Sequence, residues 1–170
     1  LHRRAAEAAD SFIDSLPELR RMLDTDIDAT YLGDPAATST HEVLICYPGI
    51  RATISHRIAH ALLKLGVPVI PRMISELAHS DTGIDIHPGA SIGHSFVIDH
   101  GTGVVIGATA IIGNNVKLYQ GVTLGARSFV TDDSNNPIKG IPRHPIIGND
   151  VVIYSNSTIL GRITIGDGAV

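Results

Sequence analysis

The chain has 170 residues, 44% of them hydrophobic and 18% charged, with a net charge of −4 and a pI near 6.1. A weakly acidic sequence with no Trp and 4% aromatics has neither the basic surface nor the stacking platforms that nucleic acid needs. No apolar run approaches the ~18 residues of a membrane-spanning helix, no signal peptide is visible at the start, and the single Cys46 cannot form an internal disulfide, which suits a reducing cytoplasm.

Composition changes near Gly83, since only 4 of the 17 glycines lie at or before it. The part before reads as helices. Arg3 to Ile13 is rich in Ala and Glu, and Ser15 with Glu18 predicts the capping box of a second helix through Leu23. Asp34-Pro35 is a turn signal. A helix from about Thr40 to Cys46 is expected to stop at Pro48-Gly49. Another is expected from about Ile50 to Leu65, with Ile54, Ile58, Ala61, Leu62 and Leu65 on its apolar stripe. A shorter one runs from about Pro68 to His79. His56 and His60 share a helix face with no third ligand beside them, so packing or hydrogen bonding is expected there rather than a metal.

From Ile84 the period changes. Aliphatic residues fall every sixth position at Ile86, Ile92, Ile98 and Val104, then at Ile106, Ile112, Leu118 and Leu124, and again at Ile147, Ile153, Ile159 and Ile165. Position five of the blocks carries Ala90, Phe96 and Thr102, and later Val151, Ser157, Ile163 and Ala169. A six-residue beat predicts a parallel β-helix, three short strands to a coil, with inward residues stacking on equivalents about eighteen positions later. β-Branched residues suit that stack. The expected class is therefore α+β, with a helical domain over 1–83 and a hexapeptide β-helix over 84–170. The chain stops at Val170 inside a repeat, which predicts further capping sequence beyond it.

The beat breaks twice. A two-residue slip separates Val104 from Ile106, just after Asp99-His100-Gly101-Thr102-Gly103, and an excursion at about 126–146 separates Leu124 from Ile147. Loops thrown from a rigid scaffold are favoured places for binding and catalysis. The polar candidates are Asp85, His94, Asp99, His100, Arg143 and His144. His94 reads as a solvated corner. His100 beside a carboxylate suits a general base, and Arg143 offers a planar fork for a carboxylate. No Ser or Cys stands in a nucleophile elbow, so direct transfer is expected rather than a covalent intermediate.

The run DIHPGASIGHSFVIDHGTGVVIGATA, followed by VTLGA and RHP, resembles the serine O-acetyltransferases, as does DPAATSTHEVLICYPGIRATISHRIAHALL before it. The resemblance covers about Asp26 to Val170. It implies a left-handed coil and transfer of an acetyl group from acetyl-CoA to L-serine, the first step of cysteine synthesis. His100 would be the base and Asp85 its orienting partner; Asp34 and Asp99 would hold the serine ammonium, Arg143 and His144 its carboxylate. Acetyl-CoA would lie near Gly125, Ala126, Ser155 and Asn156. The family commonly has a second glycine where Ala126 stands, and the 127–142 loop is longer than in its best-known bacterial members. The resemblance further implies a homotrimer or dimer of trimers, no metal, feedback by L-cysteine, and cysteine synthase as a partner through a C-terminal tail. The competing readings are a sugar or antibiotic acyltransferase, a zinc enzyme of the carbonic anhydrase type using His87, His94, His100 and His144, and a non-catalytic scaffold.

Overall fold

The computed structural model describes residues 2–170, with side chains from Arg3 onward. Four helices come first: α1 (His2–Gly33), α2 (Thr40–Cys46), α3 (Pro48–Lys64) and α4 (Ile70–Thr82). No helix among the described residues is long and apolar enough to cross a membrane.

Three expectations for the helices are corrected. The first two predicted helices are one, because the Ser15 hydroxyl donates to the Phe12 carbonyl within α1 and caps nothing. Pro17 lies inside α1; it removes one backbone donor, a loss that the cooperative turns on either side absorb. Pro48 does not simply end α2. It starts α3 at the first turn, where a missing N–H costs nothing. The buried face of α3 is also not the Ile/Leu stripe. It is Gly49, Ile50, Ala52, Thr53, His56, Arg57 and Ala59, while Ile54, Ile58, Ala61 and Leu62 are half-buried and Leu65 is exposed. Small residues face the strands because backbone comes close there: a Cβ on Gly49 would overlap the Ile98 carbonyl.

Eleven strands follow in strict rotation through three parallel sheets. The first sheet holds β1 (Asp85–Ile86), β4 (Val105–Ile106), β7 (Thr123–Gly125) and β10 (Thr158–Leu160). The second holds β2 (Ser91–Ile92), β5 (Ile111–Ile112), β8 (Ile146–Ile147) and β11 (Thr164–Ile165). The third holds β3 (Val97–Asp99), β6 (Lys117–Tyr119) and β9 (Val152–Ile153).

Register shows where the beat breaks. The first coil pairs Asp85 with Val105 and Val97 with Lys117, two residues longer than the eighteen between Val105 and Thr123 or Ile146 and Thr164. Where the excursion intervenes, Ile111 pairs with Ile146 and Thr123 with Thr158, seventeen residues more than a plain coil. Ile86, Ile98, Val104, Ile106, Ile112, Leu118, Leu124, Ile147 and Ile153 are all buried, with Ala90, Phe96 and Val151 beside them. Each such side chain removed from water is worth ~1.5–3 kcal/mol. Thr102 is exposed because it sits in the two-residue insertion, and Ile163 is exposed in the last coil, which has no rung above it among the described residues.

A buried ion pair fastens the helices to the first coil. Arg57 Nε and Nη2 donate to the two oxygens of Asp26 at 2.6 and 2.8 Å, and Nη2 also donates to the Gly93 carbonyl at 2.7 Å. Asp26 Oδ1 accepts from the Phe96 N–H at 2.9 Å. Every lone pair and donor that matters is thereby satisfied, the condition under which a buried charge pair is tolerated. The pair fixes the corner that feeds β3, and β3 leads straight to His100.

Candidate active site

The corner after β3 is built from unusual backbone. His100, Gly101 and Gly103 have φ of 58, 96 and 82°, so three of the four residues from His100 to Gly103 are left-handed. Gly101 is required twice over, by its φ and because a Cβ would strike Ile84. The turn leaves the His100 ring well exposed, with Nε2 3.8 Å from Asp99 Oδ1.

Around Asp99 the structure collects groups from three other elements. Asp34, just beyond α1, accepts from the Tyr47 hydroxyl at 2.6 Å and from the Ala36 N–H at 2.8 Å. Those two bonds hold its carboxyl below the usual range, and the same bond pushes the Tyr47 phenol up to about 12. Lys117 on β6 places its Nζ 2.9 Å from Asp99 Oδ2 and donates to the Gly33 carbonyl at 3.0 Å. His100, Asp99, Asp34, Tyr47 and Lys117 thus form one acidic corner with a cation inside it.

Arg143 and His144 lie at a different corner, between the first and second sheets. Thr109 organises them: its N–H donates to His144 Nδ1 at 3.1 Å, and its hydroxyl oxygen accepts from the Arg143 and His144 backbone N–H groups at 2.9 and 3.2 Å. Nδ1 is therefore an acceptor, and the neutral ring carries its proton on Nε2. The His144 ring lies against Gly107, with no room for a Cβ there. Burial, then the Arg143 charge, lowers the His144 pKa, which keeps the ring neutral. The Arg143 side chain donates once, weakly, to the Ile141 carbonyl at 3.4 Å, lies 5.9 Å from the Phe129 ring, and leaves a buried Nε without a partner. His87 shares this corner, also with Nδ1 as acceptor, from Gly89 N–H at 2.9 Å.

Among the described residues no hydrogen bond or ion pair joins the two corners. Asp85, on β1, makes no hydrogen bond with His100; its backbone N–H donates to the Val104 carbonyl at 2.9 Å. Gly125 ends β7 and Ala126 follows it, while Ser155 and Asn156 precede β10, so the two pairs occupy neighbouring rungs at opposite ends of the strand. His94 stands at an exposed corner whose N–H donates to Asn114 Oδ1 at 3.1 Å; Asn114 N–H in turn donates to Asn149, and Asn149 N–H to Asp167. That ladder explains a polar residue there without chemistry. His60 Nδ1 lies 2.8 Å from the Pro88 carbonyl. Two surface cavities of 460 and 380 Å³ run along α1 and contain none of the candidate residues.

Sequence reasoning missed Tyr47, Thr109 and Lys117. Only Lys117 carried a signal, as the sole Lys or Arg between Ile84 and Ala126.

No family model matches the chain. Among curated proteins it is 57% identical over 169 residues to the "Serine acetyltransferase, plasmid" of Synechococcus elongatus, covering 99% of this chain and 53% of that one. Its relatives are serine acetyltransferases. The serine acetyltransferase of Bacillus subtilis is 49% identical over 149 residues, covering 88% of this chain and 64% of its own. Among solved structures, serine acetyltransferase isoform 3 of Entamoeba histolytica, in complex with cysteine, superposes with a TM-score of 0.85 at 44% identity, covering 97% of this chain and 56% of that one. Neisseria gonorrhoeae serine acetyltransferase in complex with serine gives 0.82 at 34%, covering 95% and 62%. The chain thus spans between about half and two thirds of these serine acetyltransferases.

Proposed function

We propose that this chain carries the acetyl-transfer site of a serine O-acetyltransferase, moving the acetyl group of acetyl-CoA to the hydroxyl of L-serine to give O-acetyl-L-serine and CoA. The observation that carries the reading is the pairing of an exposed base beside carboxylates at one corner with a half-free arginine fork at another. Those are the groups an amino-acid alcohol needs, and the similarity to serine acetyltransferases names the alcohol.

His100 removes the serine hydroxyl proton as the oxygen attacks the thioester carbonyl carbon; the C–S bond breaks, and the imidazolium returns the proton to the departing sulfur. Asp85 orients the ring once substrate draws it inward. Asp34 and Asp99 receive the ammonium, and Arg143 with the His144 Nε2–H receives the carboxylate. Acetyl-CoA runs along the coils past Gly125, Ala126, Ser155 and Asn156. We read the winding as left-handed and closed, with residues 1–83 as the helical domain seated on it. We infer that the acceptor site is completed between copies, because one chain keeps its base and its arginine at separate corners and encloses neither. L-Cysteine, which shares the ammonium and carboxylate of serine, would compete there.

The test uses His100→Asn, since Asn tolerates left-handed backbone and cannot act as base. Release of free thiol from acetyl-CoA in the presence of serine should fall by ~10² to 10⁴ with the far-UV dichroism unchanged. Near-normal transfer by the variant would remove the base from the mechanism.

A further inference from the structure

Resting on the proposed acceptor site, the position of Lys117 points to a property of that site. A cation-binding position is assembled from the C-terminal carbonyl of α1 (Gly33), the Asp99 carboxylate and the Tyr119 ring, with Asp34 and Tyr47 close behind. Asp99 and Tyr119 are direct partners across the β3–β6 ladder, so the ring stacks one coil above the carboxylate. The end of α1 adds the negative pole of a helix. It is a position suited to an ammonium, and an ammonium is in it: Lys117 Nζ lies 2.9 Å from Asp99, 3.0 Å from Gly33 O and 4.8 Å from the Tyr119 centroid.

We propose that Lys117 is a tethered resident cation of the acceptor-ammonium subsite, and so a specificity-determining residue that makes binding of the acceptor's ammonium a displacement. Two of its three N–H donors are committed inside the corner, and its side chain is only 18% exposed, so the tether is held and not waving in solvent. Burial by itself would lower the Lys117 pKa; the attraction of Asp99 and Tyr119 outweighs it and raises the value, so the group stays charged. With Lys117 present the corner holds two carboxylates and one cation. An arriving ammonium meets Asp34 directly but must push Lys117 from Asp99.

The consequence is a site that binds amino-acid acceptors less tightly than its carboxylates would allow. Serine and cysteine are weakened together, because they share the ammonium. The acetyl donor, which has no ammonium, is not.

The full chain and its Lys117→Met, Lys117→Gln and Lys117→Arg variants test this. Initial rates against serine at saturating acetyl-CoA give KM and kcat, and calorimetric titration with L-serine and L-cysteine gives Kd without turnover. Lys117→Met and Lys117→Gln should lower KM for serine and both Kd values by about three- to tenfold, the range of one partly buried ion pair, with KM for acetyl-CoA unmoved. Lys117→Arg keeps the charge and should stay close to wild type. Gln serves where Met fails to fold. Unchanged or weakened serine and cysteine binding in both uncharged variants would overturn the proposal, as would a loss confined to kcat, which marks a merely structural lysine. A wild type that binds no serine and transfers no acetyl group to it would instead overturn the function on which the proposal rests.

Discussion

His56 is the most thoroughly buried histidine ring among the described residues, and the proposed mechanism does not use it. It is 3% exposed, its Nδ1 has no partner among the described residues, and burial, reinforced by His60, Arg57 and His87, pushes its pKa down to about 3. A histidine with a depressed folded pKa is neutral in the fold and gains a proton on unfolding once the pH drops below about 6.5. Its stabilising contribution is thus complete above that pH and is lost on the way down toward 3. His60, His87 and His144 shift in the same direction, burial being the first cause in each. Urea unfolding at pH 5 should therefore give a free energy ~2 kcal/mol lower than at pH 7 on account of His56 alone, and His56→Gln should flatten that part of the slope. An identical pH slope in wild type and variant would mean that His56 is protonated in the folded protein.

At the scale of the element, what was legible in the sequence was the inward row. Ile86, Ile106, Leu124 and Ile147 were found by spacing alone, because a stacked coil admits one side-chain size at one period. The corners were not legible, because what matters there is where a backbone N–H or a ring is aimed. Thr109 looked like any small polar turn residue, yet it orients both Arg143 and His144. Nor did the stripe on α3 reveal its buried side, since closeness to the coil favoured Gly49, Ala52 and Ala59 over larger residues. Which polar candidates stood at one corner was likewise a matter of coil geometry, and Asp34 joins Asp99 only because Gly33 ends α1 beside β6. The contact of Gly107 with the His144 ring gives an element-scale test. Gly107→Ala should expel the ring and lower kcat/KM for serine at least ~10-fold, the equivalent of one charge-assisted hydrogen bond, while the melting temperature moves little. Unaltered serine kinetics would separate His144 from the acceptor.

For the whole molecule, the two corners make a quantitative expectation. If the base of one copy works with the arginine of the next around a ring, then His100→Asn and Arg143→Ala are individually inactive and repair each other when mixed. Co-refolding the two at equal amounts should restore about a quarter of wild-type activity, the fraction of neighbouring pairs in a cyclic assembly that keep both intact halves. A site held entirely within one chain would restore none. Sedimentation of the same mixture checks that a closed assembly has formed.

The excursion after β7 leaves the coil at Ala126 and returns at Pro145 as a small hairpin, with Thr131 bridged to Pro137 and Ile138 N–H donating to the Val130 carbonyl. Because it departs and re-enters on the same rung, its length is decoupled from the register of everything that follows. Residues added or removed at Asn135-Asn136 would shift no inward isoleucine, whereas one residue deleted inside a rung would turn every later one outward. The hairpin is a port at which new sequence can be grafted without renegotiating the stack. Arg143 stands at its root, so on the proposed acceptor site such a graft would open beside the substrate's carboxylate: the scaffold stays fixed while the loop around that arginine is free to vary.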